Sequence, residues 1–219
     1  LERVYCDHKL EEILPLEIES MNINKIFIVC SSTLSKKTKE IEKIKDILGS
    51  KLVGIFDRCK EHSPIENVLE CVKEVKKVNP DIILTIGGGT PIDTVKVVQL
   101  CITLDISSAE QLKKISGNMQ NITSNIRQIA VPTTLSGGEY SVVGGAMDTE
   151  KKLKQGYFGY DICPKVVILD PHISVYTPEW LWLSTAIRSV DHAVEGFCSI
   201  SKNPMISHNA IESLRIFSQ

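Results

Sequence analysis

The sequence lacks several features that would assign it quickly to a class of protein. Its seven cysteines are scattered and odd in number, and none are in CxxC spacing, which argues against a disulfide framework and a zinc site. We interpret them as reduced, mostly buried thiols of an intracellular protein. A net charge of −2 and a pI near 6.3 give no electrostatic reason to expect nucleic acid or a membrane as partner.

Other absences narrow the expectations further. No apolar run approaches the length of a membrane span, and the first residues carry no secretory pattern. We therefore expect a cytoplasmic protein, and a mitochondrial location stays open because the abrupt start suggests an incomplete N-terminus. There is no internal repeat and no low-complexity tract. With 219 residues and 42% hydrophobic content, the chain can bury a substantial core.

The most informative segment is a buried-strand pattern that runs into three glycines. Residues 82–86 are apolar and β-prone without alternation, which is typical of a parallel strand covered on both faces. Gly87, Gly88 and Gly89 follow, and without a Cβ their backbone can turn sharply and approach a ligand closely. We name this segment the glycine turn.

A helix is predicted to start directly after the glycine turn. Thr90 is placed to cap it, Pro91 suits its first position, and Asp93 is the third residue after the cap. The free N–H groups and the positive dipole end would then point at an occupant of the turn, usually a phosphate. A tight turn without a ligand is the alternative interpretation.

Strand and helix patterns alternate along most of the chain. This alternation predicts an α/β fold with a parallel sheet and crossover helices. We expect a lysine-rich helix up to about Leu48, and a capping-box helix start at Ser63 to Glu66. Further strands are predicted at 25–30, 52–56, 128–131 and 165–169, and a β-hairpin at 142–157.

From Thr177 the periodicity becomes helical. One apolar face includes Leu183, Ile187 and Phe197, and a second helix opens near Asn203 and continues to Gln219. We therefore divide the chain into an α/β domain at 1–176 and the first helices of an all-helical domain at 177–219.

Three blocks in this order resemble the iron-containing alcohol dehydrogenase family, a branch of the dehydroquinate-synthase-like fold. They are GGGTPID at 87–93, VPTTLSGGE at 131–139 and HAVEGFCS at 192–199. The likeness covers nearly the whole chain. It implies an N-terminal α/β domain that binds NAD(P), a C-terminal helical domain, and catalysis in the cleft between them. It also implies a C-terminal truncation, since the family's helical domain continues well past Gln219, and we expect a possible homodimer.

The resemblance assigns the cofactor residues one by one. Gly87, Gly88, Gly89 and Asp93 match the family's pyrophosphate-binding turn and its following acid, and Thr90 lies within the same block. Thr133 and Thr134 match the paired threonines that line the nicotinamide cleft. Hydroxyls and exposed glycine amides can hold a polar cofactor across a groove, whereas an ordinary polar loop is the alternative for residues 132–141.

The end of the first long strand bears on the choice of cofactor. Family members selective for NAD tend to carry an acid where this sequence has Ser31. An acid would repel a 2′-phosphate and serine does not, and Lys36 and Lys37 lie a few residues on. We therefore expect tolerance for NADP(H) as well as NAD(H), although the lysines also suit a solvated helix face.

The largest departure from the family concerns the metal. In the iron-dependent members the first ligand is an aspartate four residues before the histidine of the third block, and Arg188 stands there instead. A guanidinium only donates and is always charged, so it cannot ligate a cation. Asp191 projects about 100° away from His192 around a helix. An iron or zinc site is therefore not expected, and a site that uses His192 and Asp191 is the alternative.

The arginine points towards the maleylacetate reductase branch, whose members lack this aspartate and act on anionic keto acids. Arg188 could hold a substrate carboxylate, and His192 could polarise or protonate the carbonyl oxygen as hydride arrives. The structural alternative is a solvated stripe of Arg188, Asp191 and Glu195 with an i, i+3 ion pair.

We thus predict an NAD(P)-dependent alcohol dehydrogenase or carbonyl reductase for a small carbonyl or alcohol substrate. Two alternatives remain. One is a metal-dependent alcohol dehydrogenase that recruits Asp191. The other is a truncated, inactive paralogue that keeps the fold and acts through binding.

Overall fold

The computed structural model describes all residues from Leu1 to Gln219. It contains nine strands: β1 Arg3–Cys6, β2 Ile26–Cys30, β3 Leu52–Phe56, β4 Ile82–Gly87, β5 Met119–Gln120, β6 Arg127–Pro132, β7 Val143–Asp148, β8 Leu153–Gly159 and β9 Val166–Leu169. Nine α-helices accompany them: α1 Leu10–Ser20, α2 Ser32–Lys37, α3 Glu40–Leu48, α4 Ile65–Val78, α5 Gly89–Thr103, α6 Ala109–Lys114, α7 Pro171–Ser174, α8 Glu179–Cys198 and α9 Pro204–Phe217. No helix is both long and apolar enough to cross a membrane.

Six strands form one parallel sheet in the order β1-β9-β6-β4-β2-β3. Its strands are apolar at successive positions because both faces are covered. In β2, Ile28 packs into one hydrophobic cluster with α1 and α3, whereas Phe27 and Val29 pack into a second cluster with α4 and α5. The predicted α/β class with a parallel sheet is therefore confirmed.

The second sheet is small, with order β5-β8-β7, and contains the predicted hairpin. β7 and β8 pair antiparallel from Val143 opposite Phe158 to Asp148 opposite Leu153. The predicted hairpin is therefore confirmed, and β7 packs against α5.

Two local predictions, for the segment after β2 and for the start of α4, are wrong. The lysine-rich segment after β2 forms two helices, because the backbone is extended at Thr38. The Thr38 hydroxyl donates to the Leu34 carbonyl at the end of α2 and accepts from the Glu40 amide at the start of α3. Ser63 makes no capping box: α4 has Pro64 at its N-cap and no side-chain cap. The Ser63 hydroxyl instead donates to the Thr90 carbonyl and accepts from Thr94, which links α4 to α5.

The last two helices, α8 and α9, pack mainly on each other. Ala193 and Ala210 are their only buried residues. The predicted apolar face of α8 is largely open to solvent, since Leu183 and Ile187 are 55% and 69% exposed. Contact with the α/β part is made by the opposite side of α8, where Thr185 and Ser189 meet Leu135.

Candidate functional site

The glycine turn lies at the carboxyl end of β4, between the ends of its two neighbours in the sheet. Gly87 has φ +149°, which L side chains rarely adopt. The Gly87 carbonyl accepts from the amide of Thr133, directly after β6, at 3.0 Å, and this hydrogen bond fixes the orientation of the peptide group that follows Gly87. The turn is thus held between β2 and β6, which is the edge where ligands bind in open parallel sheets.

Because the turn has no side chains, neighbouring segments pack closely against it. A Cβ on Gly88 would lie 2.8 Å from Thr134 Cγ2, and one on Gly89 would lie 3.1 Å from Ser136 Oγ. On the other side, a Cβ on Gly87 would approach Ser31 Cβ to 3.4 Å. The turn therefore forms a cradle between Ser31 and the segment from Thr133 to Ser141, which we name the threonine loop.

The helix after the turn begins earlier than the sequence predicted. Gly88 occupies the N-cap of α5 and has no side-chain cap, so the expected cap at Thr90 is wrong. Thr90 lies within the first turn, and Pro91 does too, where a missing N–H breaks no intrahelical bond. The reason is that the extended backbone of Gly88 already ends the strand and serves as the N-cap, so the helix starts at Gly89, before Thr90 is reached.

Asp93, in α5, pairs with Lys154 of β8, a residue that no sequence motif singled out. Lys154 Nζ is 3.4 Å from Asp93 Oδ2, and its stem crosses Gly145, where a Cβ would be 2.2 Å from Lys154 Cε. Burial raises the pKa of Asp93 even though Lys154 and Lys96 favour its charged form. The one feature of the sequence that could have indicated this contact is Gly145 in β7, whose missing side chain leaves room for the Lys154 stem.

Ser31 follows β2 and caps α2, where its hydroxyl accepts from the Leu34 amide at 3.4 Å. Lys36 and Lys37 are exposed in the last turn of that short helix. The helix also meets a carboxylate that sequence reasoning missed, since Ser35 Oγ donates to Asp57 Oδ2 at 2.7 Å. This end of the cleft thus contains charges of both signs.

The threonine loop is held from two sides. Thr133 and Thr134 are both 6% exposed. The Thr133 carbonyl accepts from Thr177 Oγ1 at 2.6 Å, and Thr134 Oγ1 lies 3.1 Å from Ser136 Oγ. From α8, Thr185 Oγ1 accepts from the Leu135 amide and Ser189 Oγ donates to its carbonyl. The loop is therefore a fixed wall of the cleft.

A cavity of about 930 Å³ opens on the far side of this loop. It lies at the carboxyl ends of β1, β6 and β9 and is closed by α7 and α8, with Trp182 on its wall. Its lining is mostly apolar. It includes four acidic residues, Asp7, Glu139, Asp170 and Glu179, and no lysine, arginine or histidine. Such a cavity suits an uncharged group better than an anion.

Arg188 and His192 lie on the exposed part of α8. Arg188 donates to Asp191, so the ion pair foreseen as the structural alternative is formed, with both side chains about half exposed. His192 is exposed and lies seven residues after Thr185, hence on the same side of α8 and about 10 Å further along its axis. Neither side chain contacts the glycine turn.

The donor set on α8 does not fit a metal ion. Asp191 is engaged by Arg188, and no group of three or more His, Cys, Asp or Glu side chains could hold a metal. A nicotinamide dinucleotide fits better, because the glycine cradle and the start of α5 suit a pyrophosphate and the adjoining cavity suits a ring.

Known proteins resemble this chain over most of its length. Residues 2–171 match the family profile of the iron-containing alcohol dehydrogenases. The chain is 32% identical over 190 residues to Dehydrogenase FUM7 of Gibberella moniliformis, covering 81% of this chain and 45% of that protein. It is 26% identical over 199 residues to a maleylacetate reductase of Burkholderia cepacia, covering 91% and 49%. The chain thus spans about half the length of these relatives.

A solved structure shows the same fold. The sulfoacetaldehyde reductase of Bifidobacterium kashiwanohense in complex with NAD+ superposes with a TM-score of 0.87 at 18% identity, covering 99% of this chain and 57% of that one. At this identity the likeness concerns the fold alone. Together with the profile match over most of the sequence, the result is plain: the chain belongs to the iron-containing alcohol dehydrogenase family.

Proposed function

We propose that this chain contains the cofactor site of an NAD(P)-dependent oxidoreductase that acts on a small carbonyl or alcohol substrate. The observation that carries the proposal is the cradle of Gly87, Gly88 and Gly89 between Ser31 and Thr134. A pyrophosphate needs free helix N–H groups, which the start of α5 offers, and the glycines let the threonine loop pack close beside them. Family membership supports the same reading.

In this proposal residues 1–176 form the cofactor domain and residues 177–219 belong to a helical domain. Ser31 faces the adenosine ribose, and Thr133 and Thr134 form the wall beside the nicotinamide. Asp93 orients the neighbouring Lys154, which adds a positive charge near the phosphates. Bound NAD(P)H would supply the hydride.

His192 is the proton donor in this proposal. It holds a proton on an imidazole nitrogen and delivers it to the substrate oxygen when the carbonyl is reduced. Its placement on the same side of α8 as Thr185, which bonds the threonine loop, supports a position facing the cleft.

The first test is a fluorescence titration of the purified chain with NADH and NADPH, with and without Fe²⁺ or Zn²⁺. Trp182 lies on the cavity wall, whereas Trp180 is 66% exposed. Quenching of tryptophan fluorescence by the bound nucleotide should therefore disappear in Trp182→Phe and persist in Trp180→Phe. Saturable binding of either nucleotide would support the proposal. A folded sample that binds neither would favour the inactive paralogue, and binding that requires metal would favour the metal-dependent alternative.

The cradle itself is tested by Gly88→Ala. The new methyl would lie 2.8 Å from Thr134 Cγ2 and push the threonine loop away, so NADH affinity should fall about tenfold or more. Gly88→Ala combined with Thr134→Ser removes the clashing methyl and should recover part of the loss. The control is Gly196→Ala, whose Cβ meets only ordinary contact at 3.4 Å. Equal affinity for Gly88→Ala and the control would contradict the assignment of the cradle.

The substrate class is a separate question, and an anionic keto acid is the second candidate. The cavity offers no cation, so a substrate carboxylate would depend on Arg188, which would have to exchange Asp191 for the ligand. The Burkholderia relative supports this candidate by its name. Arg188→Met should raise KM for keto acids far more than for neutral aldehydes. Equal effects on both substrates would exclude the role of Arg188.

A further inference from the structure

One buried carboxylate oxygen beside the cavity has no hydrogen-bond partner. Glu139 lies near the end of the threonine loop, in a single 3₁₀ turn at Gly138–Tyr140, and lines the cavity with only 4% of its surface exposed. Its Oε2 atom is buried and accepts no hydrogen bond. A buried carboxylate without a partner is costly, because it has lost its water and gained nothing in return. A ligand that donates to Glu139 would remove that cost.

The buried lysine closest in charge effect, Lys96 of α5, does not bond this carboxylate. Its ammonium group donates to the carbonyls of Ser141 at 2.8 Å and Val143 at 2.9 Å, to Ser141 Oγ at 3.0 Å, and to the Gly138 carbonyl. These acceptors occupy all its N–H groups. Burial raises the pKa of Glu139 although Lys96 favours the charged form. The Glu139 carboxylate is therefore left for a donor from the cavity.

The other acids of the cavity add negative charge that no basic residue of the lining offsets. Asp170 differs from Glu139 because its carboxylate already has partners. Its Oδ2 accepts from the Leu10 amide at 2.7 Å, and its Oδ1 accepts from the His172 amide at 2.8 Å. Glu139 is thus the buried acid with a free acceptor, and the surrounding charge favours a cation as its partner.

The walls of the cavity suit the body of such a ligand. Three aromatic residues are part of the lining: Tyr140, Trp182 and Phe217. An aromatic face attracts an ammonium ion, and tryptophan does so most strongly. At about 930 Å³ the cavity has room for an alkyl chain as well as the ammonium group that it carries.

We propose that this cavity binds a small primary ammonium compound, whose ammonium group donates to Glu139 while its alkyl chain lies against the apolar wall. The inference rests on the proposed function, and there it names the substrate class as an amino alcohol or the corresponding amino aldehyde. The alcohol carbon gives its hydride to the oxidised nicotinamide and the hydroxyl gives its proton to His192. The ammonium group is unchanged by the reaction. The same acids oppose an anionic keto acid.

The test compares three ligands that share one alkyl chain and one hydroxyl group. At the other end hexanolamine has an ammonium group, hexamethylene glycol a second hydroxyl, and ω-hydroxyhexanoate a carboxylate. Isothermal titration calorimetry measures each Kd on the chain without nucleotide. Hexanolamine should bind about tenfold or more tightly than the glycol, since a charged hydrogen bond to a buried acceptor is stronger than a neutral one. The hydroxy acid should bind more weakly than the glycol.

Glu139→Gln tests the contact itself, because it keeps the shape of the side chain and removes its charge. Hexanolamine should lose about tenfold or more in affinity, and the glycol should change by less than about twofold. The matched control is Glu179→Gln, the same substitution at an exposed residue of the lining. It should weaken hexanolamine by less than about threefold, since solvent screens an exposed charge.

Equal affinity of wild type for hexanolamine and the glycol would overturn the inference, as would a preference that survives in Glu139→Gln. If Glu139→Gln does not fold, tryptophan fluorescence decides: a change on hexanolamine binding that persists in Trp182→Phe would place the ligand elsewhere and overturn it. The NADH titration is run separately. NADH binding without selectivity for the amine contradicts this inference alone, whereas selective amine binding without NADH binding contradicts the proposed function.

Discussion

At the scale of single residues, the site contains acids whose environment disfavours their charge. Asp93 and Glu139 are both mostly buried, and burial raises the pKa of each above its ordinary value. Each lies near Lys96, which opposes the shift without cancelling it. The protonation of both acids is therefore coupled to folding.

The sign of the effect of Asp93 follows from the direction of its shift. Its folded-state pKa is raised, so its contribution to stability is fully present below the unfolded-state pKa of about 4 and is lost as pH rises through the folded value. The change in the free energy of unfolding from pH 8 to about pH 4 should therefore be more favourable for wild type than for Asp93→Asn, which has no carboxyl group at this position. Urea unfolding at the two pH values checks this, and a parallel pH dependence in both proteins would refute it.

At the scale of secondary-structure elements, one ion pair joins the edge strand β1 to α1. Glu17 is 2% exposed, accepts both a 2.8 Å and a 2.7 Å bond from Arg3, and accepts from Tyr5 Oη at 2.6 Å. The hydrogen bond to Glu17 raises the pKa of Arg3 and of Tyr5. The pattern of alternating exposure in β1 leaves these two side chains on the face covered by α1.

Removal of this acceptor should loosen the edge of the sheet. Glu17→Ala leaves the Tyr5 hydroxyl and the Arg3 guanidinium without their partner, so the free energy of unfolding should fall by about 1–3 kcal/mol. Arg3 is 39% exposed and can be partly solvated, which keeps the loss below that of a fully buried pair. Urea denaturation measures it. Exposed Glu19→Ala in the same helix is the control and should change stability by less than about 0.5 kcal/mol.

At the scale of the whole molecule, burial is uneven. The α/β part encloses two large hydrophobic clusters, whereas α8 and α9 expose apolar side chains such as Trp180, Ile187 and Met205. The total accessible surface is 11452 Å², above the roughly 10,000 Å² expected for a compact monomer of this mass. The excess surface is consistent with a helical pair that packs on little else.

Differences in burial also predict which cysteine thiols react in the native protein. Cys6 and Cys198 are exposed, and burial raises the pKa of Cys30, Cys59 and Cys101 to about 12. Reaction with a thiolate-specific disulfide reagent at pH 8 should therefore be fast for two of the seven thiols in the native protein, and for all seven after unfolding. Cys198→Ser should leave one fast thiol. A third fast thiol in the native state would contradict the burial described.

Much of the site could be predicted because it depends on local chemistry. The glycine turn is a local feature, since only glycine accepts the φ of Gly87 and the contacts of Gly88. The convergence of Ser31 and Thr134 on this turn follows from parallel strands, whose carboxyl ends meet at one edge. The position of the helix start did not follow, because Thr90 is a good cap in isolation and the backbone of Gly88 decides otherwise.

By itself, the sequence determined the α/β class, the parallel sheet and the place of the glycine turn. Hydrophobic periodicity and backbone sterics act over a few residues and are visible without a fold. Only the tertiary structure decided that Lys96 is buried under the threonine loop, that Lys154 reaches Asp93, and that Arg188 bonds Asp191. The partner of a long charged side chain depends on which distant segments pack beside it, and no local pattern specifies that.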